Sequence, residues 1–530
     1  MSDSNKQSSS QPNPALRNPA EAAKLLAELR GIDPIAALDE LNGWLESAHD
    51  IAGDDEKIRG ELLTLIQDTG EAHVSALTAQ FLAPPAGGKA AHDAKWNALN
   101  NYLRGLTGAL YITATRLLKH AVGNPSLQPA AAAAAARSLH ACRMLAKTYL
   151  MRYLGIPPKL WRLAYGIELD AEDAGCAASQ VRLHAALKAT TTPSQELLRL
   201  LMLHLSAPEM MPPEQIEVAD RAIEQLGGDF TLRPRGVTDN VFRFDLGSDQ
   251  PPHRAAGAPP NAQYRYFGPG MGFDGLERLH RESAKAGGAE FRAFGKDIAP
   301  HAQAAAVRHL MVFWGPNSPY SPPSRQEAKG SLHVIHGYGQ AWQHLSRVST
   351  TKTELSLVEE GDGPAQQGET WALQHTGGNE VGAEVPPGST GWARCGTVLG
   401  VSGTDQGGWW LGIIRSLHAD PEGGLRAHIA VLSHEPRTVE LLTLVAKGEE
   451  TVYSTEASRQ FAFSRTRGII LADGSSPSPL PNLMLPAESW KEGRTYETTY
   501  NGAPRMLRTL QLLRRGDDYV RATFEWVEQK

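Results

Sequence analysis

The chain has 530 residues, with 52 Lys+Arg against 58 Asp+Glu and a net charge of −6. That length exceeds one ordinary core, so two to four domains are expected. The lack of a basic excess argues against a nucleic-acid polymer or an anionic membrane surface as the main partner. Three widely spaced cysteines, Cys142, Cys176 and Cys395, fit neither a disulfide framework nor a zinc knuckle, and suit a reducing cytoplasm.

Residues 1–20 begin MSDSNKQSSSQPNP, Ser/Gln/Asn-rich with no basic n-region and no apolar run, and are expected to be a disordered tail rather than a secretory signal. From 21 to 230 apolar residues recur at three- and four-residue spacing, as in EAAKLLAELR, KIRGELLTLI and WNALNNYLRGL. Thr192 before Pro193 reads as a helix N-cap with Gln195 at the capping-box position. PPEQIEVADRAIEQLGG reads as a helix that starts after Pro212 and stops at Gly227. The apolar run GLTGALYITAT, bounded by Arg104 and Arg116, is about half the ~20 residues a membrane span needs. It is expected to be a buried helix face, and no membrane insertion is expected. The paired, short-looped pattern predicts an all-α bundle or an irregular tetratricopeptide-like stack. Such an array suits binding of an as yet unidentified protein partner, with a plain helical spacer as the alternative.

Residues 231–320 shift in composition and predict a mixed connector module. NVFRFDLGSD reads as a strand, QPPHRAAGAPPNAQ as a linker, and GLERLHRESAK and AQAAAVRHLMVFW as helices, before the break GPNSPYSPPS. Beyond it, short β-prone runs alternate with Gly, Pro and Asp turns: GSLHVIHGYGQAW, WALQH, TVLGVS, GWWLGIIRSL, RAHIAVLS, then TVELLTLV, GIILA, NLML, RTLQLL and YVRATFEWV. They predict an antiparallel β-barrel over 321–437 and a β extension over 438–530, within an α+β multidomain chain.

Catalytic signatures are missing. GVSGT around Ser402 has the wrong spacing for a nucleophile elbow, AGGKAA near Lys89 lacks the first glycine and the hydroxyl of a P-loop, and there is no HExxH. GPGMG at 268–272 reads as a turn. His333 and His336 alternate across a strand, and His301 and His309 lie two helical turns apart, so neither pair suggests a metal. Glu359, Glu360 and Asp362 sit in what reads as a solvated loop. The expectation is no enzyme, no catalytic residue, no metal and no resident cofactor.

The stretch PPSRQEAKGSLHVIHGYG places Arg325 and Lys329 four residues apart before a strand. Next comes WALQHTGGNEVGAEV, carrying Gly377, Asn379 and Gly382, then a run ending W-x-G-x-[IV]-R at Arg415, then RAHIAVLS. This order over about 321–437 resembles the bacterial PilZ domain, a small barrel that binds cyclic di-GMP through RxxxR in the segment leading into the barrel and [D/N]xSxxG on an early strand. The resemblance implies Arg325 and Lys329 at the first motif and Gly377, Asn379 and Gly382 at the second. Lys329 keeps the charge of the second Arg but lacks its fork and stacking plane. Gly377 lacks the acid or amide, Asn379 stands in place of the serine, and Gly382 keeps the final glycine. LWRLAYGIELDAEDAG and FRFDLGSDQPP also resemble multidomain bacterial proteins with a helical N-terminal half and a PilZ-like C-terminal half. The implied function is a cytoplasmic, non-enzymatic regulatory or adaptor protein that couples cyclic di-GMP to a protein partner bound by the helical half. The alternative is an interaction scaffold without a ligand.

Adjacent Trp409 and Trp410 should face opposite ways on one strand, one in the barrel core and the other outside or under the β extension, where ligand stacking is the minor alternative to plain packing. Arg415 is a further anion contact by charge, or a solvated strand end.

Overall fold

The computed structural model describes residues 18–51, 56–83, 88–184, 189–237, 240–255, 261–285, 290–316, 326–350, 368–389, 391–403, 408–420, 422–445, 462–471 and 480–527. Arg325, and the acids Glu359, Glu360 and Asp362, lie outside these residues. The chain divides into two compact units, residues 1–319 and 320–530, and the architecture is α+β.

The first unit opens with eight helices: α1 (Pro19–Glu28), α2 (Pro34–Ile51), α3 (Glu56–Leu82), α4 (Gly88–Ala121), α5 (Gln128–Leu150), α6 (Pro158–Asp173), α7 (Pro193–Leu205) and α8 (Pro213–Leu226). Proline occupies the first turn of α1, α5, α6, α7 and α8, where its missing N–H costs no helical hydrogen bond. Thr192 caps α7 by accepting the Gln195 N–H at 3.1 Å, while the Gln195 side chain turns away to donate to the Gly228 carbonyl. A small antiparallel sheet follows, with β1 (Thr231–Arg233), β2 (Phe242–Asp245), β3 (His253–Arg254) and β4 (Tyr264–Gly268) in the order β1-β4-β2-β3. Two helices, α9 (Gly272–Lys285) and α10 (Pro300–Trp314), complete the unit. One apolar core runs from Ala22 to Trp314 and takes in Phe242, Phe244, Phe267 and Val307 beside the helical leucines.

Helix α5 is the axis of that core. Its small residues, Ala131 to Ala146, let neighbours approach closely, yet Arg137, His140, Arg143 and Lys147 along one face are buried too. Each meets a counter-charge. Lys147 Nζ donates to Glu217 at 3.0 Å and Asp220 at 2.7 Å on α8, and Arg143 bridges Asp220 and Glu224. Arg137 Nη1 donates to Gln67 and Asp68 on α3, both at 2.9 Å. Burial on its own would push the Glu196 carboxyl of α7 up. Its bond to His140 and the charges of Arg199, His140 and Arg143 outweigh that and bring it down to about 2. Among the described residues no helix is long and apolar enough to cross a membrane.

The second unit holds two closed antiparallel barrels. The first is built from β5 (Gln326–His336), β6 (Glu369–Gly377), β7 (Glu380–Val385), β8 (Val398–Gly403), β9 (Trp409–Ala419) and β10 (Leu425–Ser433), in the order β10-β7-β6-β5-β8-β9. The stretch expected to be a β extension closes on itself. Strands β11 (Pro436–Val445), β12 (Ala462–Leu471), β13 (Asn482–Pro486), β14 (Thr495–Tyr500), β15 (Ala503–Arg515) and β16 (Tyr519–Val527) form a second barrel, β11-β12-β13-β16-β15-β14. Closure removes the exposed edges that an added hairpin would have left.

One expected strand is cut short. GSLHVIHGYGQAW is a strand only to His336. Gly337 turns the chain at φ +86°, a conformation other residues adopt at a cost, and helix α11 (Tyr338–Thr350) begins. Tyr338, Ala341, Trp342 and Leu345, spaced three and four apart, face one side of α11. They pack against Val398, Leu411 and Ile413 of the first barrel and Ile469, Leu471, Met484 and Tyr519 of the second.

Candidate ligand face of the first barrel

In β10 the residues Ala427, Ile429 and Val431 fill the barrel, so Arg426 and His428 alternate onto the outer face. His428 lies opposite Gly382 of β7, and Gly382 lies opposite His375 of β6. A side chain at 382 would put its Cβ 1.9 Å from His375 Cε1. Glycine therefore lets the two imidazoles meet across the middle strand, His375 Nε2 to His428 Nδ1 at 3.2 Å. His418 of β9 stands edge-on to His428, with ring centres 5.5 Å apart. Arg426 lies opposite His418 on one side and Glu384 on the other.

Arg415 falls at a bulge in β9, where the register jumps from Ser416 opposite His428 to Ile414 opposite Ile429. The extra residue turns the arginine toward β7, where its guanidinium pairs with Glu380. Arg415 is thus held by a carboxylate on the same face as the histidines.

Lys329 is exposed on β5 at a second bulge, between the pairings Glu327 with His375 and Gly330 with Leu373. Gly377 ends β6, and Asn379 sits exposed in the two-residue turn to β7, its carbonyl accepting the Val431 N–H at 2.8 Å. The structure therefore gathers Gly377, Asn379 and Gly382 into one hairpin. Lys329 stands two strands from Gly382, about 10 Å at the usual strand spacing. His375, His418 and His428 were not singled out from sequence. They lie on three strands, and the pairing of β6, β7, β10 and β9 brings them together.

The tryptophans divide as strand alternation requires. Trp410 is buried, while Trp409 is half-buried and occupied: its ring is edge-on to His333 at 5.5 Å and tilted over His344 of α11 at 4.1 Å. At the base of the same barrel His336 stacks on Trp392 at 3.8 Å. Glu369 accepts the indole N–H groups of Trp371 and Trp392, both at 3.1 Å, which fastens the segment before β8.

That face thus carries exposed Arg426, Arg415 tied to Glu380, and three imidazoles of which His428 is buried, while Lys329 is exposed on β5 and Asn379 at the hairpin turn. Planar cationic and imidazole groups are suited to phosphate oxygens and to the faces and edges of purines. No curated protein and no solved structure matches the chain. Residues 20–235, about two fifths of the chain, match the family model of the N-terminal domain of the cyclic-di-GMP receptor FimW. The helical part of this protein, α1 to α8, is therefore similar to a domain of a cyclic-di-GMP receptor.

Proposed function

We propose that the protein is a non-enzymatic, cytoplasmic cyclic di-GMP effector, in which a PilZ-like barrel senses the nucleotide and the helical unit holds a protein partner. The observation that carries this reading is the similarity of residues 20–235 to a domain of a cyclic-di-GMP receptor. The barrel supports it as well, because Lys329 on β5 and the hairpin that carries Gly377, Asn379 and Gly382 belong to one closed sheet. Arg325 grips a phosphate or a guanine edge, Lys329 adds a point charge, and Asn379 supplies a polar group at the hairpin turn. Gly382 makes room for the His375–His428 pair beside that turn, and Gly377 ends the strand that leads into it.

Equilibrium titration of the full chain with cyclic di-GMP tests this, by calorimetry on the wild type, Arg325→Ala and Lys329→Ala. One lost bidentate contact is worth about 1–3 kcal/mol, so Arg325→Ala is expected to weaken binding roughly 5- to 150-fold. Lys329→Ala, which loses a point charge only, is expected to cost less. Absence of binding up to roughly millimolar ligand overturns the sensor reading and leaves a scaffold. Binding that neither substitution changes moves the site elsewhere in the chain and spares the function.

A further inference from the structure

The helical unit carries a cluster separate from the barrel residues proposed to hold cyclic di-GMP. Helix α3 presents Asp68 and Glu71, three residues apart and so on one face. Helix α5 presents His140, and His184 follows α6 in a segment held by the bridge between Val181 and Thr191. One carboxylate oxygen of Glu71 and one ring nitrogen from each of His140 and His184 lie within 4.8 Å of one another.

The two imidazoles are arranged alike. His184 Nδ1 is 2.8 Å from Asp68 Oδ1, and His140 Nδ1 is 3.4 Å from Glu196 Oε2. Both Nε2 atoms are buried and have no hydrogen-bond partner. The rings are T-shaped with centres 5.7 Å apart. A carboxylate behind one nitrogen fixes the proton there and leaves the lone pair of the other nitrogen forward, which is how metal-binding histidines are oriented. Arg143 Nη2 also approaches His140 Nδ1 at 3.4 Å, but that guanidinium already bridges Asp220 and Glu224. Asp68 Oδ1 is steadied from its other side by Arg137 at 2.9 Å.

We propose that His140, His184 and Glu71 bind one first-row divalent transition-metal ion of the zinc class, through the two Nε2 atoms and a Glu71 oxygen. Nitrogen and carboxylate donors at about 2.0–2.2 Å suit such an ion, and each donor needs to move inward by less than about 1 Å to reach it. Three protein ligands leave a coordination position for water. A cleft of about 400 Å³ lined by residues of α1 and α3, Thr69 and His73 among them, reaches Asp68, the residue behind His184. Glu71 brings a negative charge to the position, whereas Asp68 and Glu196 are already paired with Arg137 and Arg199.

The test uses the full chain, stripped with a chelator, titrated with Zn²⁺ and assayed for metal content after gel filtration. The wild type is expected to retain one Zn²⁺ per chain. Glu71→Gln and His184→Gln should each weaken it at least tenfold while leaving the helical circular dichroism unchanged. Asp68→Asn, which removes the carboxylate behind His184 and also the partner of Arg137, should weaken it 10- to 100-fold. A His375→Gln/His428→Gln variant of the barrel should keep the wild-type stoichiometry. Co²⁺ in place of Zn²⁺ should give visible d–d absorption that Glu71→Gln alters. A stripped wild type that takes up no Zn²⁺ overturns the proposal. So does uptake unaffected by Glu71→Gln and His184→Gln, or uptake lost only in the barrel variant.

Discussion

Glu168 on α6 is fully buried, with one carboxylate oxygen accepting the Ser194 hydroxyl and the other without a partner. Burial pushes its carboxyl up, the Ser194 bond and Arg265 oppose this, Glu172 adds to it, and the result is about 7. A folded-state value above the unfolded one means stability that is full below about pH 4.5 and is lost as pH rises through about 7. Glu168→Gln keeps the shape and cannot ionise. It should match the wild type in urea denaturation at pH 4.5 and exceed it at pH 8.5, by on the order of 3 kcal/mol at most. Equal stability of the two at pH 8.5 would refute this account. Glu196 runs the opposite way: with its carboxyl held near 2, its contribution is present above about pH 4.5 and is lost as pH falls toward 2. Both residues look unremarkable in sequence, because their burial comes from helices folded around them and not from their neighbours in the chain.

At the scale of the element, α11 shows what sequence periodicity offers and where it was overridden. Tyr338, Ala341, Trp342 and Leu345 have helical spacing, but they follow a β-prone run directly, and only Gly337 marks the change. The β period of the preceding residues was extended too far. The helix then does more than fill a loop. Trp342 Nε1 donates to the Gly468 carbonyl at 3.0 Å, Arg467 lies over its ring at 5.0 Å, and Tyr338 donates to the Arg467 and Met484 carbonyls. Trp342→Ala removes a side chain packed between two barrels and should cost about 3–5 kcal/mol. In guanidinium denaturation the second unit should change from one transition to two, as the barrels lose their shared core. A single unshifted transition would show that α11 does not join them. Strand β7 was not among the expected runs, although Gly378 and Asn379 form a turn signal between it and β6. The closure of the second barrel was not, since it depends on β16 finding β13 and β15 from opposite ends of the segment.

For the whole molecule, the helical and barrel halves could be read from composition and period, since both repeat along many residues. The candidate metal cluster could not, because Glu71, His140 and His184 come from separate parts of the chain and share no spacing. Lys329, Gly377, Asn379 and Gly382 could be proposed from sequence because each motif occupies only a few consecutive positions. The first unit holds its own core from Ala22 to Trp314. Residues 1–319 expressed alone should therefore unfold in one cooperative transition by calorimetry, and failure to do so would mean that this core needs the second unit. The ion pairs of α5 set a further condition on how that core is made. Arg143 and Lys147 find their carboxylates on α8, whose Glu217, Asp220 and Glu224 follow them by 70 to 81 residues. On the ribosome, α5 emerges long before those acids do. Burying its cations earlier would strand charge without a partner, so the nascent chain must keep that face of α5 wet until residue 224 has left the exit tunnel.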